Sequence, residues 1–275
     1  MDENLKKQLK IFACKARIGA IDGIYCAKAG HPGGSLSICD LLSYLYNVEM
    51  NVDPKNPQDP KRDRLVLSKG HAAPALYATL ALKGYFPVED LKTLRKSDSY
   101  LQGHPNMNKV PGVDMSTGSL GQGISCAVGM ALGGKIDKEN YRVYTILGDG
   151  EIEEGIIWEA AMTSAHFKLD NLTLIIDHNK LQLGGTTEDV MNIMPIDAKF
   201  RDFHWHTITI NGYDFTQIKS ALQEALAHKG QPTVIIAETV KGKGVDFMEN
   251  NKEWHNKALD AKDAATALKE LGGEG

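Results

Sequence analysis

The stretch "ILGDGEIEEG" (146–155) sets an acid, Asp149, between Gly148 and Gly150 at the end of an apolar run. The chain is expected to turn there straight into a helix, and glycine turns at such a junction offer backbone N–H groups to a phosphate. An acid in that corner would repel the phosphate unless a cation lay between them. Asn179 closes the next apolar run, "NLTLIID" (171–177). If the two strands are neighbours, a right-handed crossover brings Asp149 and Asn179 to one rim. Together they offer hard oxygens and neither sulfur nor imidazole, a donor set suited to Mg²⁺ or Ca²⁺ rather than zinc. One Asp, one Asn, a backbone carbonyl, a water and two diphosphate oxygens would fill the octahedral shell that Mg²⁺ prefers. Each residue alone has a plainer reading, since Asp after a strand often caps a helix and Asn179-Lys180 could be a turn. The pairing favours the cation.

The surrounding pattern supplies elements to hold such a corner. "LKKQLKIFACKARIGAIDGIY" places Leu5, Leu9, Phe12, Ala16 and Ile24 at helical intervals. After a Pro/Asn/Asp loop at 51–63, short apolar runs alternate with helical stretches: "RLVLS", "YRVYTIL", "NLTLIID", "HTITI" and "PTVIIAETV". This alternation predicts an α/β fold, a doubly wound, mainly parallel sheet with helices on both faces. The runs are apolar throughout, as strands covered on both sides should be. No repeat or linker divides the chain, which reads as one domain over 1–275. Such sheets bind ligands at the C-terminal ends of their strands, where Ser68-Lys69-Gly70-His71, Gly148-Asp149-Gly150, Asp177-His178-Asn179 and Lys241-Gly242-Lys243-Gly244 fall. The long glycine-rich segment 102–123 has no periodicity and leads into a helix, a placement that suits function.

Composition narrows the classes. The chain has 275 residues, 42% hydrophobic and 24% charged, with a formal net charge of −4. No basic surface announces nucleic acid. The cysteines Cys14, Cys26, Cys39 and Cys126 lack metal or disulfide spacing and read as free thiols in a reducing compartment. The charged start is not a signal peptide, and no apolar run is long enough to span a membrane. A cytoplasmic location is expected.

The motifs also resemble a known family. "GDGEIEEGIIWEA…LDNLTLIIDHN" is similar to the thiamine diphosphate motif, which opens at Gly-Asp-Gly and closes at Asn. "AGHPGGSLS" (29–37), "LSKGHAAPALYA" (67–78), "GHPNM" (103–107), "STGSLGQGISCAVGMA" (116–131) and "KGKGVDFMENNKEWHNK" (241–257) resemble transketolase in the same order over nearly the whole chain. The resemblance implies thiamine diphosphate and Mg²⁺ as cofactors, with Ca²⁺ or Mn²⁺ as substitutes. It implies metal binding by the side chains of Asp149 and Asn179 and the carbonyl of Leu181. His71 and Gly150 would hold the diphosphate, backbone groups of Gly118 and Leu120 the aminopyrimidine, and Lys241 would sit near the diphosphate end.

His31, His104 and His255 match the histidines that line the family's substrate channel and move protons on the sugar hydroxyls, a task imidazole suits near neutral pH. A lone Gly-His-Pro is more often a turn with a surface histidine; two copies in matching context favour function. The family commonly has glycine after Trp-His, whereas Asn256 stands here. Glu154 and Glu159 match positions near the family's subunit interface, with a charged helix face as the plainer reading. His204 and His206 alternate as if along a strand but lack a third ligand, which favours sheet surface over a metal pair.

The family reaction also needs a pyrimidine-binding domain with a catalytic glutamate, and a C-terminal domain. Only one helical stretch, "LDAKDAATALKEL", follows "KEWHNK". The expectation is the N-terminal subunit of a split transketolase, active on sugar phosphates with a C-terminal partner subunit in a two-plus-two heterotetramer. Alternatives are a regulatory subunit that binds cofactor without catalysis, or half of an enzyme like deoxyxylulose phosphate synthase.

Overall fold

The computed structural model describes residues 1–273. Five strands, β1 (Arg64–Leu67), β2 (Val143–Gly148), β3 (Leu172–His178), β4 (His206–Asn211) and β5 (Thr233–Glu238), form one sheet in the order β1-β2-β3-β5-β4. Every pairing is parallel. Gly148 lies in register with Asp177, so Asp149 and Asn179 leave adjacent strands at one edge of the sheet.

Alternation along the strands divides the core in two. Leu65, Tyr144, Ile146, Ile175 and Ile235 face one layer. It is built from α1 (Glu3–Ala27), α2 (Pro32–Leu36), α3 (Cys39–Tyr44) and α4 (Ala73–Lys83), with two later helices. Val66, Leu147, Leu174, Ile176 and Val234 face the other, built from α5 (Gln122–Ile136), α6 (Gly155–His166) and, past the short α7 (Thr187–Val190), α8 (Ile196–Asp202). The later helices α9 (Phe215–Ala227) and α10 (Ala261–Glu270) return to the first layer. The doubly wound expectation therefore holds.

Local chemistry sets the element ends. The Asp2 carboxylate accepts from Leu5 N at 3.0 Å and starts α1, which buries Leu9, Ala13, Ala16, Ala20 and Ile24 along one stripe. Asp214 caps α9 by accepting from Thr216 N at 2.8 Å.

Three sequence readings are corrected. β4 is an edge strand with mostly half-exposed residues, because no strand pairs beyond it. His204 is not on that strand: it takes a left-handed φ of 61° in the turn between α8 and β4. The chain also does not pass straight from Gly150 into a helix; a 3₁₀ turn, Gly150–Glu153, precedes α6.

Candidate active-site cleft

A cleft of about 210 Å³ opens at the C-terminal ends of the central strands. Its lining includes Lys69, His71, Leu120, Asp149, Gly150, Asn179, Leu181, Lys241 and His255. The sequence-predicted acid corner, its carbonyl and several basic partners thus share one wall.

Asp149 is 2% exposed. Its carboxylate accepts from Gly150 N at 2.8 Å and from Lys180 N, both backbone groups. No side-chain cation pairs with it among the described residues. Burial, and then the nearby Asp177 charge, push its carboxyl up to about 6. A buried carboxylate in that condition suits a bound cation. Asn179 Oδ1 accepts from Leu181 N at 3.2 Å. No cluster of three or more His, Cys, Asp or Glu side chains shaped for a metal occurs among the described residues. A cation here would therefore use Asp149, the Asn179 amide oxygen and the Leu181 carbonyl, with further oxygens from ligand or water, a set that fits a hard ion.

Four imidazoles stand beside this corner. His31 lies 5.3 Å from His71, 6.1 Å from His104 and 5.7 Å from His255 between ring centres, and His71 lies 5.2 Å from His255. Burial, with the charge of neighbours including Arg95 and Lys241, pulls His31 down to about 4. Burial and the Lys241 ammonium pull His255 down to about 3. His71 falls well below the ordinary histidine value, chiefly by burial and Lys69, and His104 is lowered by burial and Arg95. The cluster is neutral at pH 7, so each ring can give one proton and accept another.

Lys241 Nζ donates to the Leu181 carbonyl at 2.8 Å and to His255 Nδ1 at 2.9 Å. Because an ammonium only donates, neutral His255 carries its proton on Nε2. Burial and the neighbouring Lys69 pull Lys241 down to about 8. The His31 Nδ1 atom is buried with no hydrogen-bond partner.

Gly118 lies off the cleft lining. With φ of 151°, it packs against His104, whose Cδ2 would be 3.1 Å from an added Cβ. Gly148 is the opposite case: a Cβ there would meet only Lys69 Cδ, at 4.0 Å, and would stand in the cleft itself. That open space is a cradle for a ligand. Glu154 and Glu159 are exposed.

Sequence reasoning gave no role to three buried charges at the cleft. Lys69 and Asp177 form an ion pair, 1% and 0% exposed, across 108 residues of sequence. Glu151 accepts from Ser68 Oγ, from Gly121 N at 2.8 Å and from Gly148 N at 3.1 Å. Lys69 was within reach, since "SKGH" sits at a strand end; its partner was not.

These features can be set beside known proteins. The chain matches, over residues 9–275, the family described as transketolase, thiamine diphosphate binding domain. It is 49% identical over 246 residues to a 6-deoxy-6-sulfo-D-fructose transketolase subunit of a Clostridium species, covering 90% of each chain. It is 42% identical over 263 residues to an apulose-4-phosphate transketolase subunit of Phocaeicola vulgatus, covering 96% of this chain and 93% of that one. It is 40% identical over 271 residues to the transketolase of Mus musculus, but covers 43% of its length. The crystal structure of Campylobacter jejuni transketolase matches all of this chain and 44% of its own, with a TM-score of 0.92 and 34% identity. The chain thus spans most of the subunit relatives and under half of the whole transketolases. On the family match and these identities together, it belongs to the transketolase family as a thiamine diphosphate-binding domain.

Proposed function

We propose that this chain is the diphosphate-holding half of a two-chain transketolase that moves a two-carbon ketol unit from a ketose phosphate to an aldose phosphate. The observation that carries the reading is the juxtaposition of the Asp149–Asn179 corner with the neutral cluster of His31, His71, His104 and His255. A cation site alone would serve many phosphate binders. Imidazoles beside it add the capacity to shuttle protons on hydroxyl groups.

Asp149, Asn179 and the Leu181 carbonyl would hold Mg²⁺, with Ca²⁺ or Mn²⁺ able to replace it. His71, Gly150 and Lys241 would hold the diphosphate, and Gly118 and Leu120 would support the aminopyrimidine through backbone groups. When bound, thiamine diphosphate supplies the carbon nucleophile and stabilises the two-carbon fragment. The chain's own residues orient and protonate. His31 and His104 would accept and return hydroxyl protons of the sugar, and His255, with its proton on Nε2, would donate. Burial keeps His31 and His255 uncharged, so each ring holds one proton to give and one free nitrogen to accept.

The partner would be a C-terminal subunit supplying the pyrimidine-binding domain and a catalytic glutamate, assembled two-plus-two. Support comes from the relatives that are themselves named as subunits and are covered over 90% and 93% of their length. The relatives named for a sulfo-fructose and for apulose 4-phosphate favour a donor with an anionic end. A cytoplasmic location belongs to the same proposal; among the described residues no helix is long and apolar enough to cross a membrane.

The test is an assay of the chain with its partner, thiamine diphosphate and Mg²⁺, offering xylulose 5-phosphate, 6-deoxy-6-sulfofructose and pyruvate as donors to an aldose phosphate. Consumption of a ketose donor is the expected result. Consumption of pyruvate alone would move the chain to the deoxyxylulose phosphate synthase branch.

A further inference from the structure

Asp177, next to last in β3, is fully buried and receives four side-chain donors. Ser37 Oγ donates to it at 2.8 Å and Asn179 Nδ2 at 2.9 Å, and Lys69 Nζ and Thr239 Oγ1 complete the set. The donors come from the end of α2, the turn after β1, the end of β3 and the end of β5. Its ion pair with the equally buried Lys69 ammonium, and the convergence of three further donors on it, are the geometry of an ionised carboxylate.

An ionised carboxylate can only accept. Asn179 must therefore turn its NH₂ group toward Asp177 and its oxygen away, where Oδ1 meets Leu181 N at 3.2 Å. A flipped amide would set oxygen against oxygen and present N–H to any cation beside Asp149. We propose that Asp177 is a positioning residue, anchored by Lys69, that selects the amide orientation in which Asn179 offers oxygen to the cation. The inference rests on the cation reading above and adds to it a residue that touches neither metal nor substrate.

A merely structural ion pair would also weaken the fold when broken, so the test must read orientation. The full-length chain is titrated with Mn²⁺ at saturating thiamine diphosphate, and free Mn²⁺ is followed by its electron paramagnetic resonance signal. Asp177→Asn removes the acceptor-only group and should weaken Mn²⁺ binding about 10- to 100-fold, as loss of an outer-shell partner does. Asn179→Asp adds a negative charge beside the cation, which simple attraction would reward. Facing Asp177, it should instead bind Mn²⁺ more weakly than the wild type.

The exchanged pair, Asp177→Asn with Asn179→Asp, restores a donor facing an acceptor. It should bind more tightly than either single variant. If Asp177→Asn does not fold, Asn179→Asp and the exchanged pair carry the test by themselves. Tight binding by either single variant, within about twofold of wild type, or an exchanged pair as weak as the two losses combined, overturns the positioning role. Failure of the wild type to bind Mn²⁺ would instead overturn the cation reading on which it rests.

Discussion

The ammonium of Lys241 lies 2.8 Å from the carbonyl oxygen of Leu181, the same oxygen proposed as a cation ligand. Without the diphosphate, the lysine and a cation compete for that atom and repel one another. With the diphosphate bound, the lysine has an anion to move toward. Lys241→Met should therefore raise the affinity for Mn²⁺ alone while lowering the affinity for thiamine diphosphate at saturating Mn²⁺. Calorimetric titrations in both orders check the two signs, and a parallel loss in both would show that Lys241 acts only on the fold.

Asp149→Ala removes the buried carboxylate proposed to hold the cation. Cation-dependent binding of thiamine diphosphate should be lost, and chelation of divalent ions should produce the same loss in the wild type. Unchanged binding by the variant, followed by fluorescence quenching of the chain's tryptophans, would put the cation elsewhere.

Gly148→Ala separates cradle from fold. A methyl group there meets only Lys69 Cδ, at 4.0 Å, so thermal stability should change little. The methyl occupies ligand space, so thiamine diphosphate should bind at least about tenfold more weakly, equivalent to about 1.4 kcal/mol. Gly33→Ala provides the contrast. Its added carbon would fall 2.9 Å from both Lys241 Cγ and the Trp254 carbonyl, so it should lower the melting temperature even without ligand.

That contrast marks what the sequence made legible. The acid corner was readable because Asp149 and Asn179 each sit at a strand end, and strand ends can be recognised from apolar runs. The parallel sheet followed from the same runs. Gly33 had no reading of its own, because its reason is a close approach to the Trp254 carbonyl from the far end of the chain. Asp177 and Glu151 escaped because their partners, Lys69 and Ser68, lie far away in sequence. His204 was misplaced because a left-handed turn breaks the alternation that made it look like part of a strand. Local periodicity reports elements, while buried polar pairing is decided only when the elements meet.

Glu151 offers a test of that pairing. Its carboxylate accepts backbone N–H groups from both Gly121 and Gly148. Glu151→Ala would leave the buried Gly121 N–H and the half-buried Gly148 N–H without their acceptor, costing about 1–3 kcal/mol for each donor that water does not reach. A loss of about 2–5 kcal/mol in urea-induced unfolding is expected, and a loss below about 0.5 kcal/mol would contradict the assignment.

The imidazole cluster should give the chain an acid-sensitive fold. Folded His31 and His255 take up protons only near pH 4 and 3, whereas the unfolded rings do so near 6.5. The unfolded state therefore binds more protons across that window, and stability falls as pH drops from 6.5 toward 4. Asp149 opposes this, because its folded value of about 6 exceeds the unfolded 3.8 and its ionisation costs stability as pH rises between them. Asp22, Glu49, Asp114 and Glu151 are raised as well, but Asp170, Asp177, Asp214, Glu238 and Glu249 are lowered, so the carboxyls offset one another and the four lowered imidazoles decide the sign. Melting temperatures measured from pH 7 down to 4.5 should decline, and His31→Gln should make the decline shallower.

The central claim is that ketol transfer requires this chain and a second one together. The most direct measurement is a gentle pull-down of the chain from its native cells. The eluate is assayed for two-carbon transfer from xylulose 5-phosphate to ribose 5-phosphate with thiamine diphosphate and Mg²⁺, before and after the chains are separated. Transfer by the eluate that is lost on separation and restored on remixing is the predicted result. Transfer by this chain alone, or an eluate that binds cofactor yet transfers nothing from any ketose donor, would contradict it.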